Sequence, residues 1–202
     1  MIEIERLLHH VLPFAPECPE PTAIHHLREA TIQFCERTRI WRHELTISTA
    51  DPLVIVTPAG SRLFEIEDAW FNGTRLERVP VNEAADYVGD SPGVPRWITE
   101  YGETGVRLVP FDPADPGELR ISAFLTPSRD ATEIPDFLVD GHARTIADGA
   151  LSDLLMLPNQ PFSNPALAAG FGVRFEAQIN RNFAANIRGR QRAPTRSKPH
   201  WL

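Results

Sequence analysis

Apolar positions at the start of the chain recur with helical spacing. Ile4, Leu7, Leu8 and Val11 share one face, which predicts a short helix over residues 2–12, stopped by Pro13 and a link containing Pro16, Pro19 and Pro21. A second stripe, Ile24, Leu27, Thr31, Phe34 and Cys35, predicts a helix from near Pro21 to about Ile40, because proline suits the first helical position. The period then changes. Short apolar runs broken by proline, glycine and asparagine predict strands at Leu45–Ile47, Leu53–Val56, Leu63–Trp70, Thr74–Val81, Trp97–Tyr101, Gly105–Val109 and Glu118–Leu125. Asn72 and Gly73 sit between two of these runs and favour a type I′ hairpin turn, in which both central residues need positive φ. Residues 111–117, with Pro113 and Pro116, predict a second turn.

Helical spacing returns after Pro135. Val139, Ala143, Ile146, Ala150, Leu154 and Leu157 fall on one face as far as Pro158, and Gly141 and Gly149 on the same segment would let another helix approach closely. Asn164 and Pro165 supply an N-cap and a first-position proline for a last helix reaching about Arg188, with Phe171, Phe175, Ile179, Phe183 and Ile187 recurring every four residues. A helix of this length, roughly 36 Å, exceeds what a small bundle needs, so its far end is expected to project. The predicted fold is α+β. A helical bundle built from both chain ends (residues 1–42 and 134–188) carries an inserted small antiparallel β-domain (43–133), a long C-terminal helix and an extended basic tail (189–202).

Charge changes this picture most. From Arg174 onward there are seven basic residues against one acid, Glu176, so this stretch carries +6. The whole chain carries −7, which leaves −13 on residues 1–173. An acidic body joined to a basic helix and tail has the pattern of an interaction appendage on a globular domain. Residues 189–202 hold too little apolar surface to fold alone, yet include Trp201 and Leu202, and a segment of that kind orders against a partner. The basic end admits three readings: a solvated helix face, a phosphate-binding element, or an element that docks on an acidic protein surface. Aromatic anchors among arginines favour protein docking, since sequence-tolerant nucleic-acid binding calls for more lysines and interleaved aromatics.

Residues that could carry chemistry are present but not in the spacings that chemistry needs. His9-His10 and His25-His26 are adjacent pairs, and neighbours on a helix point about 100° apart, whereas a helical metal pair needs a spacing of three or four. Asp136, Asp140, His142, Asp148 and Asp153 could be imagined as an acid–base cluster, but Asp136 to Asp140 read more simply as the acidic first turn that a helix dipole favours. No serine lies in a Gly-x-Ser-x-Gly elbow, and no glycine-rich loop with a lysine follows a strand. Cys18 and Cys35 read as plain thiols. No enzyme, metal or cofactor is expected. The chain has no apolar run of about 18 residues and begins without the basic and apolar regions of a signal peptide, so no membrane association and a cytoplasmic site of synthesis are expected.

Several segments resemble a known family. Residues 34–42, Phe34-Cys35-Glu36-Arg37-Thr38-Arg39-Ile40-Trp41-Arg42, resemble the helix-to-strand junction of bacteriophage head-to-tail adaptor proteins, also called connector or gateway proteins. Ile134-Pro135-Asp136-Phe137-Leu138 opening a helix, residues 149–157 closing it, and Asn164-Pro165 starting a long one are similar to the same family in order and pattern. The resemblance implies a structural virion protein of a tailed phage, located in the neck and assembled in the host cytoplasm. It implies a homo-oligomeric ring, usually of twelve copies, between the portal protein and a tail or nozzle protein, through which double-stranded DNA passes. It also implies a C-terminal extension that inserts into the portal. On this chain the portal-binding positions would be Arg174, Arg181, Phe183, Ile187 and Arg188 on the last helix. Arg190, Arg192, Arg196, Lys198, Trp201 and Leu202 would continue them along the tail. A DNA-binding accessory protein using the same basic end is the rival reading.

Overall fold

The computed structural model describes residues 1–83 and 92–188, with side chains of the last helix described as far as Phe183. It is a mixed α+β structure in two compact units, Met1–Ile40 with Pro135–Leu202, and Trp41–Ile134.

In the first unit a 3₁₀ turn, Ile4–Leu7, runs into a one-turn helix α1 (Leu8–Val11), burying Ile4, Leu7 and Val11. Helix α2 (Glu20–Thr38) has Pro21 in its first turn and buries Leu27, Thr31, Phe34 and Cys35. The hydroxyls of Thr31 and Thr38 donate to the carbonyls of Leu27 (2.7 Å) and Phe34 (2.6 Å), so neither leaves an unpaired polar atom in the core. The helix stops where Arg39 turns left-handed (φ 51°) and its N–H donates back to the Cys35 carbonyl at 2.8 Å.

Helix α3 (Asp136–Leu154) ends earlier than the expected Leu157. The amides of Met156 and Leu157 bond to the carbonyls of Asp153 and Leu154, three residues back, and this tighter winding closes the helix. Helix α4 (Pro165–Arg188) starts as its sequence predicts. The Asn164 side-chain oxygen accepts from the Leu167 amide (3.1 Å) and its carbonyl from the Ala168 amide (3.0 Å), which is the N-cap arrangement.

Helices α3 and α4 run antiparallel, with Asp148 facing Arg174, Gly149 facing Phe175 and Ser152 beside Gly172. A methyl group on Gly149 would lie 2.9 Å from the Phe175 ring. On Gly141 it would meet nothing within 4 Å. The expectation of close approach at both glycines is therefore corrected: it holds at Gly149, while Gly141 lies on the exposed side of α3.

The second unit holds two four-stranded sheets. Its strands are β1 (Arg42–Thr49), β2 (Leu53–Ile55), β3 (Ser61–Phe71), β4 (Thr74–Arg75), β5 (Glu77–Arg78), β6 (Trp97–Tyr101), β7 (Gly105–Val109) and β8 (Gly117–Pro127). One sheet has the order β1-β8-β3-β4 and is antiparallel throughout; the other has the order β2-β7-β6-β5, with one parallel pair, β5 beside β6. Val54, Ile98, Val106 and Leu108 of the second sheet and Leu119, Ile121, Ala123 and Leu125 of the first are buried; alternation with exposed residues is clear only in the first half of β8, and Ser122, Thr126, Thr99 and Val109 are buried beside these positions as well. Asn72 (φ 48°) and Gly73 (φ 78°) form the expected hairpin turn between β3 and β4.

The continuous strand expected over Thr74–Val81 is instead divided. Leu76, itself buried, donates its amide to the Ala69 carbonyl of β3 (2.9 Å), and the next residue, Glu77, donates to the Arg96 carbonyl (2.9 Å). The chain leaves one sheet and joins the other at Leu76, a change of partner that side-chain alternation does not encode.

Candidate functional site

The positions on the last helix that the resemblance would assign to portal binding have different fates. Arg174 is committed within its own unit: its Nε and Nη2 donate to the two carboxylate oxygens of Asp148, both at 3.1 Å, and its guanidinium lies 4.5 Å from the centre of the Phe171 ring. Glu176, the acid in the basic stretch, is clamped by Arg37 of α2 through two parallel N–H to oxygen bonds, the longer of them 2.6 Å. The Arg37 hydrogen bonds hold the Glu176 carboxyl below the usual carboxylate range, and the same bonds push the Arg37 guanidinium pKa up.

Arg181 is exposed. Phe183, expected to stand beyond the packed helices, is half-buried in its own unit, with the Arg39 guanidinium 5.7 Å from its ring centre. The backbone of Ile187 and Arg188 continues the helix, and their side chains lie outside the described residues. Arg190, Arg192, Arg196, Lys198, Trp201 and Leu202 lie outside them entirely.

Among the described residues of this unit there is an open cleft of about 700 Å³, walled by α1 and the segment after it, α3 and α4. His9 and His10 line it, along with Phe14, Arg144, Thr145, Asp148, Leu151, Phe171, Arg174 and Gln178. Sequence spacing sets adjacent histidines apart, but the His9 and His10 ring centres are only 3.9 Å from each other. Burial lowers the His10 pKa first, and the neighbouring His9 and Arg144 lower it further. Phe14, half exposed, meets the edge of Phe171 with ring centres 5.1 Å apart.

The other polar residues weighed in the sequence are dispersed. Asp148 holds Arg174, and His142 packs against Phe34 with ring centres 5.0 Å apart. Burial raises the Cys18 thiol pKa and drives that of Cys35 far up, so both are held as thiols rather than thiolates. Among the described residues no three His, Cys, Asp or Glu side chains gather as metal ligands, and no helix is long and apolar enough to cross a membrane.

Sequence reasoning missed the cleft and both clamps. Asp148 and Arg174 are 26 residues apart and Arg37 and Glu176 are 139 apart, so no local spacing announces either pair. No model of a known protein family matches the chain, and no curated protein matches it.

Proposed function

We propose that this protein is a non-enzymatic head-to-tail adaptor of a tailed bacteriophage. It forms an oligomeric ring, of twelve copies in the resembled family, between the portal and a tail or nozzle protein, and double-stranded DNA passes through it. The observation that carries the reading is the distribution of free charge. Arg174 is neutralised by Asp148 and Glu176 by Arg37, which leaves the six basic residues from Arg181 onward to supply the appendage's charge on an otherwise acidic chain. A basic segment with aromatic and aliphatic anchors suits docking into acidic grooves, and many weak tails engaged together on a ring hold far better than one. An acidic body repels DNA phosphates, which lets a genome slide past it.

The test mixes the purified protein with the portal ring from the same genome and images the product by electron microscopy, comparing the full chain with one ending at Gly189. A ring stacked under the portal, lost on truncation, supports the adaptor and its docking tail. A stack that survives truncation removes the docking role of residues 190–202. Absence of any stack, together with duplex-DNA binding that falls steeply with salt, replaces this reading with the DNA-binding accessory.

A further inference from the structure

We infer that the cleft between α1, α3 and α4 is a docking site for an extended acidic peptide segment carrying a carboxylate side chain and, two residues away, an aromatic or branched aliphatic one. This inference stands apart from the adaptor reading, because it uses none of the residues from Arg181 onward.

Three observations converge on it. The first is local charge. Residues 1–173 carry −13 with histidines counted as neutral, yet the cleft lining holds two guanidiniums, Arg144 and Arg174, against one carboxylate, Asp148, whose two oxygens are both occupied by Arg174, so the Arg144 charge is left unbalanced. Arg144 is exposed at the cleft and forms no ion pair among the described residues. A guanidinium in that state offers its planar donors to an incoming carboxylate.

The second is polarity along the cleft. Because α3 and α4 are antiparallel with Asp148 facing Arg174, Arg144 lies toward Gln178 at one end and Leu151 toward Phe171 at the other. His10 lies toward the Arg144 end, close enough for the guanidinium charge to disfavour protonation of its ring. Phe14 belongs to the apolar end, against Phe171. The bridged Arg174–Asp148 pair separates the ends as a neutral floor.

The third is length and openness. Seven steps along α3 from Arg144 to Leu151 span roughly 10 Å; residues two apart on an extended chain span about 7 Å of that, and the long side chains of Arg144 and of the incoming carboxylate residue cover the rest. Side chains two apart on an extended strand point the same way, so one can place a carboxylate at Arg144 while the other seats an apolar group on Phe14 and Phe171. The site is an open groove of side-chain donors, as a peptide requires.

The probe is a fluorescein-labelled hexapeptide GDEAFG titrated with the full-length protein by anisotropy at low salt, with GDEASG and GNQAFG as controls. Saturable binding to GDEAFG is expected, weakened roughly tenfold by Arg144→Glu and comparably by either control peptide. Phe14→Ser, at an exposed position, tests the apolar end without emptying the core and is expected to weaken GDEAFG more than GDEASG. Circular dichroism confirms that each variant is folded. Absence of saturable binding to GDEAFG overturns the proposal, as does binding that ignores Arg144→Glu. Tighter binding of a labelled oligothymidylate that Arg144→Glu abolishes overturns it in favour of a nucleic-acid site.

Discussion

Two glycines eight residues apart on α3 should respond to alanine with opposite signs. Gly149→Ala places a methyl group 2.9 Å from two atoms of the Phe175 ring, whereas carbon atoms pack at about 3.5–4.0 Å, so something must move by more than half an ångström. Phe175 is 3% exposed, and the Phe34 ring lies 6.4 Å away centre to centre, which leaves the phenyl ring little room to retreat. Overpacking of this kind costs about 1–3 kcal/mol, while replacing a helical glycine by alanine returns about 0.5–1 kcal/mol. Net destabilisation of about 1–2 kcal/mol is expected, a fall in Tm of roughly 3–8 °C for a chain of this size. Gly141→Ala adds its methyl group to open space and keeps only the helical gain, so its Tm should rise by about 2–4 °C. Thermal and urea melts followed at 222 nm report on the helical unit. In a Phe175→Leu background, which frees space at the contact, the cost of Gly149→Ala should shrink. If Gly149→Ala is as stable as Gly141→Ala, the close helix approach at Gly149 is refuted.

Acidification should destabilise the helical unit before any carboxylate titrates. The pKa values of His10 and His26 are lowered chiefly by burial, so the unfolded chain takes up these protons first; this contribution is intact above about pH 6.5 and is lost as pH falls toward the lowered folded values. Urea midpoints at pH 7.5 and 5.5 should therefore differ, and the double variant His10→Asn, His26→Asn should narrow the gap; an unchanged gap refutes the assignment. The Glu176 carboxyl, held low by Arg37, contributes stability that is present above about pH 4.3 and lost as pH falls through its folded value. Both partners are more than a third exposed, so a double-mutant cycle on Arg37 and Glu176 should return only about 0.5 kcal/mol and less in high salt. Arg174→Ala removes a bidentate pair and a ring contact, so it should lower stability by about 1 kcal/mol in melts while leaving the proposed portal association unchanged.

Local features were the legible ones. The proline near the start of α2, the Asn164 cap, the Asn72-Gly73 turn and most strand positions follow from rules that act over two to four residues, and the structure has them. Features set by distant partners were not legible. The switch of sheets at Leu76 depends on what β3 and β6 offer on either side of it, and the Phe175 contact that separates the roles of Gly141 and Gly149 comes from another helix. The candidate site divides in the same way. The arginines of α4 are legible in the sequence, but nothing there distinguishes Arg174 from Arg181 and Arg188. Asp148, far off in the sequence, sets Arg174 apart.

That difference sharpens where a partner's grip should begin. The sequence alone places the start of the basic element at Arg174, with Glu176 subtracting from it. In the folded chain the two charges at its start drop out as separate internal pairs, Arg174 with Asp148 and Glu176 with Arg37, on exposed surface where such pairs mainly fix geometry. The net charge that remains is still +6, but it begins at Arg181, seven residues and about 10 Å further along α4. The two clamps anchor the helix to α2 and α3 up to that point, as a support does for the segment beyond it. Removal of a clamp and removal of the tail should therefore separate experimentally, the first changing stability and the second association.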